Sequence, residues 1–167
     1  PAFFQDYINA NGAVPGVGFY KTFKNTAEDY FDARGYITFN ATKYIDIQFG
    51  YDKNFIGNGY RSLLLSDWGN SNLFLKLNTR IWKLNYQNIF MELMPQFKKA
   101  GDTLLDRKYA AMHHLSMNVT KWLNIGVFEG VIFGRKNHFD FQYLNPIIFY
   151  RHIEGTVGSP DNAVAGI

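Results

Sequence analysis

The chain of 167 residues contains no cysteine, which excludes disulfide cross-links, thiolate metal sites and cysteine nucleophiles. It has no apolar run approaching the roughly 20 residues that a membrane-spanning helix needs. Charged residues make up only 19%, and the formal net charge of +3 is too small and too dispersed to indicate nucleic-acid binding. The glycine motifs that bind phosphate or dinucleotides are missing as well. We therefore expect no cofactor and no bound metal.

Aromatic residues are plentiful at 18%, and many of them fall where apolar and polar residues alternate. Such alternation is typical of β-strands with one dry face and one wet face. The alternating stretches lie within residues 35–42, 45–52, 73–80, 83–90, 114–120 and 123–133. We expect most strands to have about 9–12 residues, close to the roughly 9–11 that a tilted strand needs to cross a bilayer.

The connections between these stretches alternate between short and long. Tight turns are expected at residues 42–43, 81–83 and 120–122, and each places a lysine beside Tyr44, Trp82 or Trp122. Loops rich in glycine, asparagine and aspartate are expected near residues 53–71 and 94–108. Short turns at one rim, long loops at the other and aromatic residues at the boundary are typical of outer-membrane barrels.

We therefore predict an all-β fold, an antiparallel up-and-down meander that forms part of a transmembrane β-barrel. About seven strands are expected within residues 33–167. A short helical or irregular segment is expected at residues 1–32, where 3–10 and 20–31 have spacings compatible with short helices. A soluble β-sandwich or a lipocalin-like barrel is the alternative interpretation, although sandwich strands are usually shorter. Because the chain begins at Pro1 without a signal peptide, we expect it to be a fragment of a longer protein.

The two faces of the predicted strands have different expected surroundings. Apolar residues such as Ile47, Leu77 and Val127 should face lipid, because a charge facing lipid near the midplane costs about 2–4 kcal/mol. Polar residues on the opposite face should line an enclosed aqueous lumen. The lumen-lining candidates are Gln48, Lys76, Asn78, Arg80, Gln87 and His114.

The stretch from residue 51 to residue 70 is the best candidate for ligand binding. A sugar site needs hydrogen-bonding groups together with aromatic faces on which sugar rings can stack, and this stretch supplies both. The candidate glycan-binding residues are Asp52, Lys53, Asn58, Tyr60, Arg61, Ser66, Asp67 and Trp68. The same residues also suit a solvated loop with internal salt bridges. Gly57 and Gly59 are expected to permit a tight bend, since glycine tolerates positive φ.

Residues 113–116, His-His-Leu-Ser, indicate a different function. Adjacent histidines on a strand point to opposite faces, and His114 shares its face with Ser116. A Ser–His pair would make the protein an outer-membrane hydrolase of the lipase or esterase type, but no acidic partner and no oxyanion hole can be assigned. A passive porin is a third possibility, which the mixed polar face of the strands allows.

Several motifs, taken in order, resemble the Wzi-type capsule assembly proteins. The stretch FIGNGYRSLLLSD at residues 55–67, followed by FLKL at 74–77, is similar to a Gly-x-Gly…Leu-x-Leu-Ser segment of that family. HLSMNVT at 114–120, LNIG at 123–126 and FG at 133–134 resemble its later hairpin. With YLNPIIFYR at 143–151 and GSPDN at 158–162, the order is closer to the Bacteroidetes branch, which includes gliding-motility outer-membrane proteins of the RemB kind. The resemblance covers residues 49–167.

The resemblance implies an outer-membrane β-barrel of about eighteen strands, of which this chain would supply less than half. It implies binding of capsular or other surface polysaccharide, a link to gliding motility, and no catalytic residues. We therefore expect a non-enzymatic protein of the bacterial outer membrane. Its expected partners are surface polysaccharide, outer-membrane lipid and candidate components of the motility or secretion machinery, and nucleic acid is not expected.

Overall fold

The computed structural model describes residues 5–6, 8, 13–24, 27–94, 106–135, 138–146, 149–158 and 161–167. Its main feature is a seven-stranded sheet in which each strand pairs antiparallel with the next along the chain. The strands are β3 (Gly35–Thr42), β4 (Ile45–Asp52), β5 (Asn72–Ile81), β6 (Leu84–Leu93), β7 (Lys108–Asn118), β8 (Asn124–Gly134) and β9 (Asn162–Gly166). The predicted all-β antiparallel meander of about seven strands is confirmed. The sheet of the described residues is open, with β3 and β9 at its edges.

The connections follow the predicted rhythm of short turns and long loops. Two residues join β3 to β4 and β5 to β6, and five join β7 to β8. Trp82 has a φ of 53°, a positive value that is common in two-residue hairpin loops. The loop at residues 53–71 is present as predicted, whereas most of the second long loop, residues 95–105, lies outside the described residues.

The prediction for the first residues is partly wrong. Residues 20–31 form no helix: β1 (Lys21–Phe23) and β2 (Ala27–Asp29) make a separate two-stranded hairpin. Both strands have only three residues and lie at the surface, so neither has a dry face that would produce alternation. Of residues 3–10, Gln5, Asp6 and Ile8 are described and are helical.

Two faces of the seven-stranded sheet follow from the register. The Ile47 face carries one row of cross-strand partners, Ile47, Leu77, Asn88, His113 and Glu129, and the Gln48 face carries the adjacent row, Gln48, Lys76, Ile89, Met112 and Gly130. The half of the sheet near the tight turns is called the turn end, and the half near the long loops is called the loop end.

At the loop end both faces of the central strands β6, β7 and β8 are covered. The loop at residues 53–71 lies on the Gln48 face, where Ile56 packs with Phe74, Ile89 and Met112. A 3-10 helix (Phe141–Leu144) and helix α1 (Tyr150–Val157) lie on the Ile47 face. Their side chains pack with the sheet in a second cluster, which consists of Phe90, Ala111, Val131, Phe133, Tyr143, Tyr150 and Ile153. Each fully buried large side chain contributes about 1.5–3 kcal/mol, so these clusters hold the segments against the sheet.

At the turn end the faces differ, as the alternation predicts. Ile125 and Val127 on the Ile47 face are 47% and 44% exposed. The Gln48 face there carries amides and charges, including an ion pair of 2.5 Å between Arg80 and Asp46. One expectation needs correction. Leu77 was expected to face lipid, but it does not lie on an open surface, because it packs with Leu75 against the second cluster.

Candidate functional site

The loop at residues 53–71 is held in shape by one hydroxyl group. Ser62 Oγ donates to the carbonyl of Ile56 and accepts hydrogen bonds from the amides of Leu64 (3.0 Å) and Leu65 (3.4 Å). Ile56 also pairs with Leu65 through a hydrogen bond of 2.9 Å between Ile56 N and Leu65 O. Gly57 has a φ of 131°, and a Cβ there would lie 2.3 Å from Ser62 Oγ. These contacts give the loop a defined conformation beside the sheet.

The polar cleft is a concavity of about 400 Å³ between this loop and the turn end of the Gln48 face. It is lined by Phe55, Ile56, Gly57, Asn58, Asn85, Gln87, His114, Ser116, Asn118 and Asn124. The lining brings one predicted loop residue, Asn58, together with two predicted lumen residues, Gln87 and His114. The loop reaches them because its apolar side chains seat it on the loop end of the same face.

The chemistry of the polar cleft is that of uncharged hydrogen-bonding groups. Its described lining has five side-chain amides, one hydroxyl and one imidazole, and no carboxylate, ammonium or guanidinium group. Asn124 Nδ2 donates to Asn118 Oδ1 at 2.8 Å, which fixes the orientation of both amides. Asn85 Oδ1 is buried and accepts no hydrogen bond from the described residues. The polar cleft thus offers several oriented hydrogen-bond donors and acceptors, and its described lining carries no formally charged side chain to attract or repel an ionic ligand.

A second concavity, the basic groove, has about 460 Å³ and is lined by Pro15, Gly16, Arg34, Lys53, Asp67 and Trp68. The guanidinium of Arg61 lies 4.3 Å from the centre of the Trp68 ring, a cation–π contact that occupies one face of the indole. Arg34 donates to Asp32, and this hydrogen bond is the main reason why the pKa of the Asp32 carboxyl lies below its usual value. Asp52 lies 3.9 Å from Arg34.

The eight predicted glycan-binding residues therefore do not form one site. Lys53, Asp67 and Trp68 line the basic groove, Arg61 stacks on it, and Asn58 lies in the polar cleft. The remaining predicted residues are Asp52, Ser66 and Tyr60. The Asp52 carboxylate accepts a hydrogen bond from Lys53 N, and the Ser66 hydroxyl accepts one from Trp68 N. Tyr60 is 87% exposed. Asp52 and Ser66 shape the loop, and Tyr60 lies at its tip.

All six predicted lumen-lining residues lie on the Gln48 face, as their register shows. Gln87 and His114 reach the polar cleft. Arg80 is engaged by Asp46 at 2.5 Å, while Asn78 pairs in register with Gln87. Gln48 and Lys76 pair with each other in register, one row further towards the loop end.

The arrangement around Ser116 does not favour hydrolysis. Ser116 and His114 both line the polar cleft, but its described lining includes no carboxylate that could orient a histidine base. His113 lies on the opposite face, as expected for adjacent strand residues, and its Nδ1 is 2.9 Å from the hydroxyl of Tyr86. His113 is therefore separated from Ser116 by the sheet itself.

The sequence interpretation missed a polar group on the Ile47 face. Glu129 accepts hydrogen bonds from the backbone amides of Tyr150 (3.0 Å) and Arg151 (3.3 Å), at the first turn of α1. Tyr86 donates its hydroxyl proton to the carbonyl of Pro146, and the ring centres of His113 and Tyr150 are 4.1 Å apart. The available signal was the polar interruption of an apolar pattern at residues 88, 113 and 129. The group fastens the C-terminal segment to the sheet.

Comparisons of the chain with protein-family models, with curated proteins and with solved structures found no match. In the described ranges, no helix is long and apolar enough to cross a membrane. The same ranges contain no group of three histidine or acidic side chains arranged to hold a metal ion.

Proposed function

We propose that this chain is a wall segment of a bacterial outer-membrane β-barrel that binds or organises surface polysaccharide. The observation that carries the proposal is the difference between the two faces at the turn end of the sheet. One face is apolar and open, and the other bears amides, charges and the polar cleft. A sheet whose strands alternate in this way suits lipid on one side and an aqueous lumen on the other.

Exposed apolar side chains on the Ile47 face occur on several strands. Ile37, Phe39 and Phe49 on β3 and β4 are 70%, 52% and 50% exposed and lie on the Ile47 face, as do Ile125 and Val127. Contiguous apolar surface on a soluble monomer is usually restricted to a few hundred Å². Contact with lipid would remove the cost of exposing these side chains to water.

The aromatic residues at the turns support the proposal that the turn end of the sheet lies at a membrane–water boundary. Trp82 and Trp122 are 84% and 82% exposed, and both lie in turns that join strands at the same end of the sheet. The ammonium groups of Lys83 and Lys43 lie 5.2 Å and 4.7 Å from the ring centres of Trp82 and Tyr44. Amphipathic rings beside lysines are enriched at the level of lipid headgroups.

Polysaccharide binding is supported by the loop at residues 53–71, which contributes residues to both the polar cleft and the basic groove. It is further supported by the resemblance to Wzi-type capsule assembly proteins and their gliding-motility branch. On this proposal the edges of β3 and β9 pair with other strands of the barrel, because an unpaired edge in lipid leaves backbone groups unsatisfied. Motility or secretion machinery would be the protein partner, and no catalysis is assigned.

Membrane insertion is tested with Val127→Arg in the intact protein expressed in a Gram-negative host. An arginine on the lipid face costs about 2 kcal/mol or more, so we expect less protein in the outer-membrane fraction and a loss of heat-modifiable migration in gels. Asn124→Arg, on the opposite face of the same strand, is the matched control and should assemble normally. Equal assembly of both variants, or wild-type protein in a soluble fraction, contradicts the proposal.

Polysaccharide binding is tested separately on the purified protein in detergent micelles. We expect binding to a panel of bacterial surface glycans, and unchanged glycan length after prolonged incubation. Failure to bind any glycan removes the polysaccharide role. Ester hydrolysis that is abolished by Ser116→Ala would instead establish the hydrolase.

A further inference from the structure

We infer that the polar cleft, rather than the basic groove, is the primary glycan site, and that it takes uncharged sugar units. This inference rests on the proposed function, because it names the class of glycan and the residues that recognise it. The polar cleft and the basic groove are both lined in part by the same loop and have similar volumes, about 400 Å³ and 460 Å³. They differ in charge, and the difference selects between ligand classes.

The first step concerns the groups that a ligand would meet in the polar cleft. Gln87, Asn118 and Asn124 present amides from β6, the end of β7 and the start of β8. An amide offers both donors and acceptors, which is what a sugar ring with neighbouring hydroxyl groups requires. An anionic sugar would find no ammonium or guanidinium group in the described lining and would lose its hydration without compensation.

The second step concerns Arg80, a cation on the Gln48 face beside the polar cleft. Arg80 is the cross-strand partner of Asn85, but its guanidinium is 2.5 Å from the carboxylate of Asp46. Asp46 in turn accepts a hydrogen bond of 2.7 Å from Asn40. Arg80 is therefore neutralised by its own partner and offers little attraction to an acidic ligand.

The third step is that the polar cleft is prepared for a ligand. The hydrogen bond between Asn124 and Asn118 holds two of the amides in place, and Ser62 holds the loop that carries Asn58. Asn85 Oδ1 lacks a donor among the described residues, and such a buried acceptor gains from a small shift that lets a ligand hydroxyl donate to it. Phe55 supplies an aromatic side chain to the same lining. In the basic groove, Arg61 already covers one face of Trp68, so that face is not available to a sugar ring.

The experiment measures binding of maltohexaose, cellohexaose, mannohexaose and the acidic hexagalacturonate to the intact protein in detergent micelles by isothermal titration calorimetry. The variants are Gln87→Ala in the polar cleft, Trp68→Ala in the basic groove, and Gln48→Ala as the matched control. Gln48 lies on the same face but outside the described lining of the cleft. Loss of one well-formed hydrogen bond corresponds to about a tenfold change in affinity.

We expect at least one uncharged hexasaccharide to bind, about tenfold more weakly to Gln87→Ala and within about twofold to Gln48→Ala and Trp68→Ala. The affinity should be unchanged between about 0.05 M and 0.5 M salt, because screening acts only on charges. If only hexagalacturonate binds, with dependence on Trp68 and on salt, the inference is overturned while polysaccharide binding stands. Equal weakening by Gln87→Ala and Gln48→Ala also overturns it. If no glycan binds to the wild type, both proposals fail.

Discussion

Replacing Tyr143 by phenylalanine removes one oxygen atom from a buried ionic network at the loop end of the sheet. The Tyr143 side chain is fully buried, and its hydroxyl donates to Asp161 Oδ2 at 2.7 Å. Arg135 donates two further hydrogen bonds of 2.7 Å to the same carboxylate, whose side chain is only 1% exposed. The network joins the end of β8, the 3-10 helix and the start of β9.

The expected cost of Tyr143→Phe is about 1.5–3 kcal/mol in the free energy of unfolding. A hydrogen bond to a charged group contributes that amount, and the phenyl ring keeps the stacking on Phe133 at a ring separation of 4.4 Å. The measurement is urea-induced unfolding in detergent micelles, followed by tryptophan fluorescence. Tyr60→Phe is the control, because Tyr60 is 87% exposed and its hydroxyl should contribute less than about 0.5 kcal/mol.

The same substitution carries a pH dependence. Burial, and secondarily the hydrogen bond to Asp161, raise the pKa of Tyr143 above its ordinary value. A raised pKa means that the fold favours the neutral phenol. The corresponding stability is complete below the unfolded pKa of about 10 and is lost as the pH rises through the folded value. Wild-type protein should therefore lose more stability than Tyr143→Phe above about pH 10. Identical unfolding curves for the two proteins, at neutral and at alkaline pH, would refute the reasoning.

Two further substitutions test how segments are held to the sheet. Glu129→Ala leaves the first amides of α1 without their acceptor, so we expect about 1–2 kcal/mol less protection of residues 150–157 in amide hydrogen exchange; unchanged protection would show that the apolar contacts alone hold α1. Gly50→Ala places a Cβ 2.4 Å from the carbonyl oxygen of Gly35 and should lower the free energy of unfolding by about 1–3 kcal/mol. Gly35→Ala has open space around it and is its control in the same urea titration.

The alternation of the sequence was sufficient to predict the meander, because a half-buried strand repeats every two residues. It predicted the pairs from β3 to β8, the tight turns and the shared face of the six polar candidates, but it did not locate β9. It failed where both faces are covered. Residues 88–91 and 110–112 contain consecutive apolar or buried side chains, Ile89, Phe90 and Met91 among them. Such runs are typical of strands buried on both sides, and here they mark the loop end.

The sequence interpretation missed helix α1, whose N-terminus has no local signal. Phe149 at its N-terminus provides no side-chain cap, and the helix includes Gly155 and Thr156, which are weak helix formers. Its first amides are satisfied by Glu129, twenty-one residues away from Tyr150 in the chain. Because a distant carboxylate satisfies these amides, little in the local sequence marks where the helix begins.

The candidate site could be predicted only in part, because it too depends on contacts between residues that are distant in the chain. Residue types that suit sugars identified the loop, but their distribution between two concavities depends on how Ile56, Leu64 and Leu65 seat the loop on the sheet. The participation of Asn85, Asn118 and Asn124 follows from cross-strand register, which a single sequence specifies only indirectly.

In the loop at residues 53–71, the residues that fix the backbone differ from the residues that are exposed at the tip. The groups that fix its path are Ser62, Gly57 and the apolar residues beneath, whereas Tyr60 and Leu63 at the tip are 87% and 101% exposed. Exchanging a tip residue therefore alters the outermost surface without disturbing the anchoring contacts. The loop is for the same reason a natural position for grafting a foreign epitope.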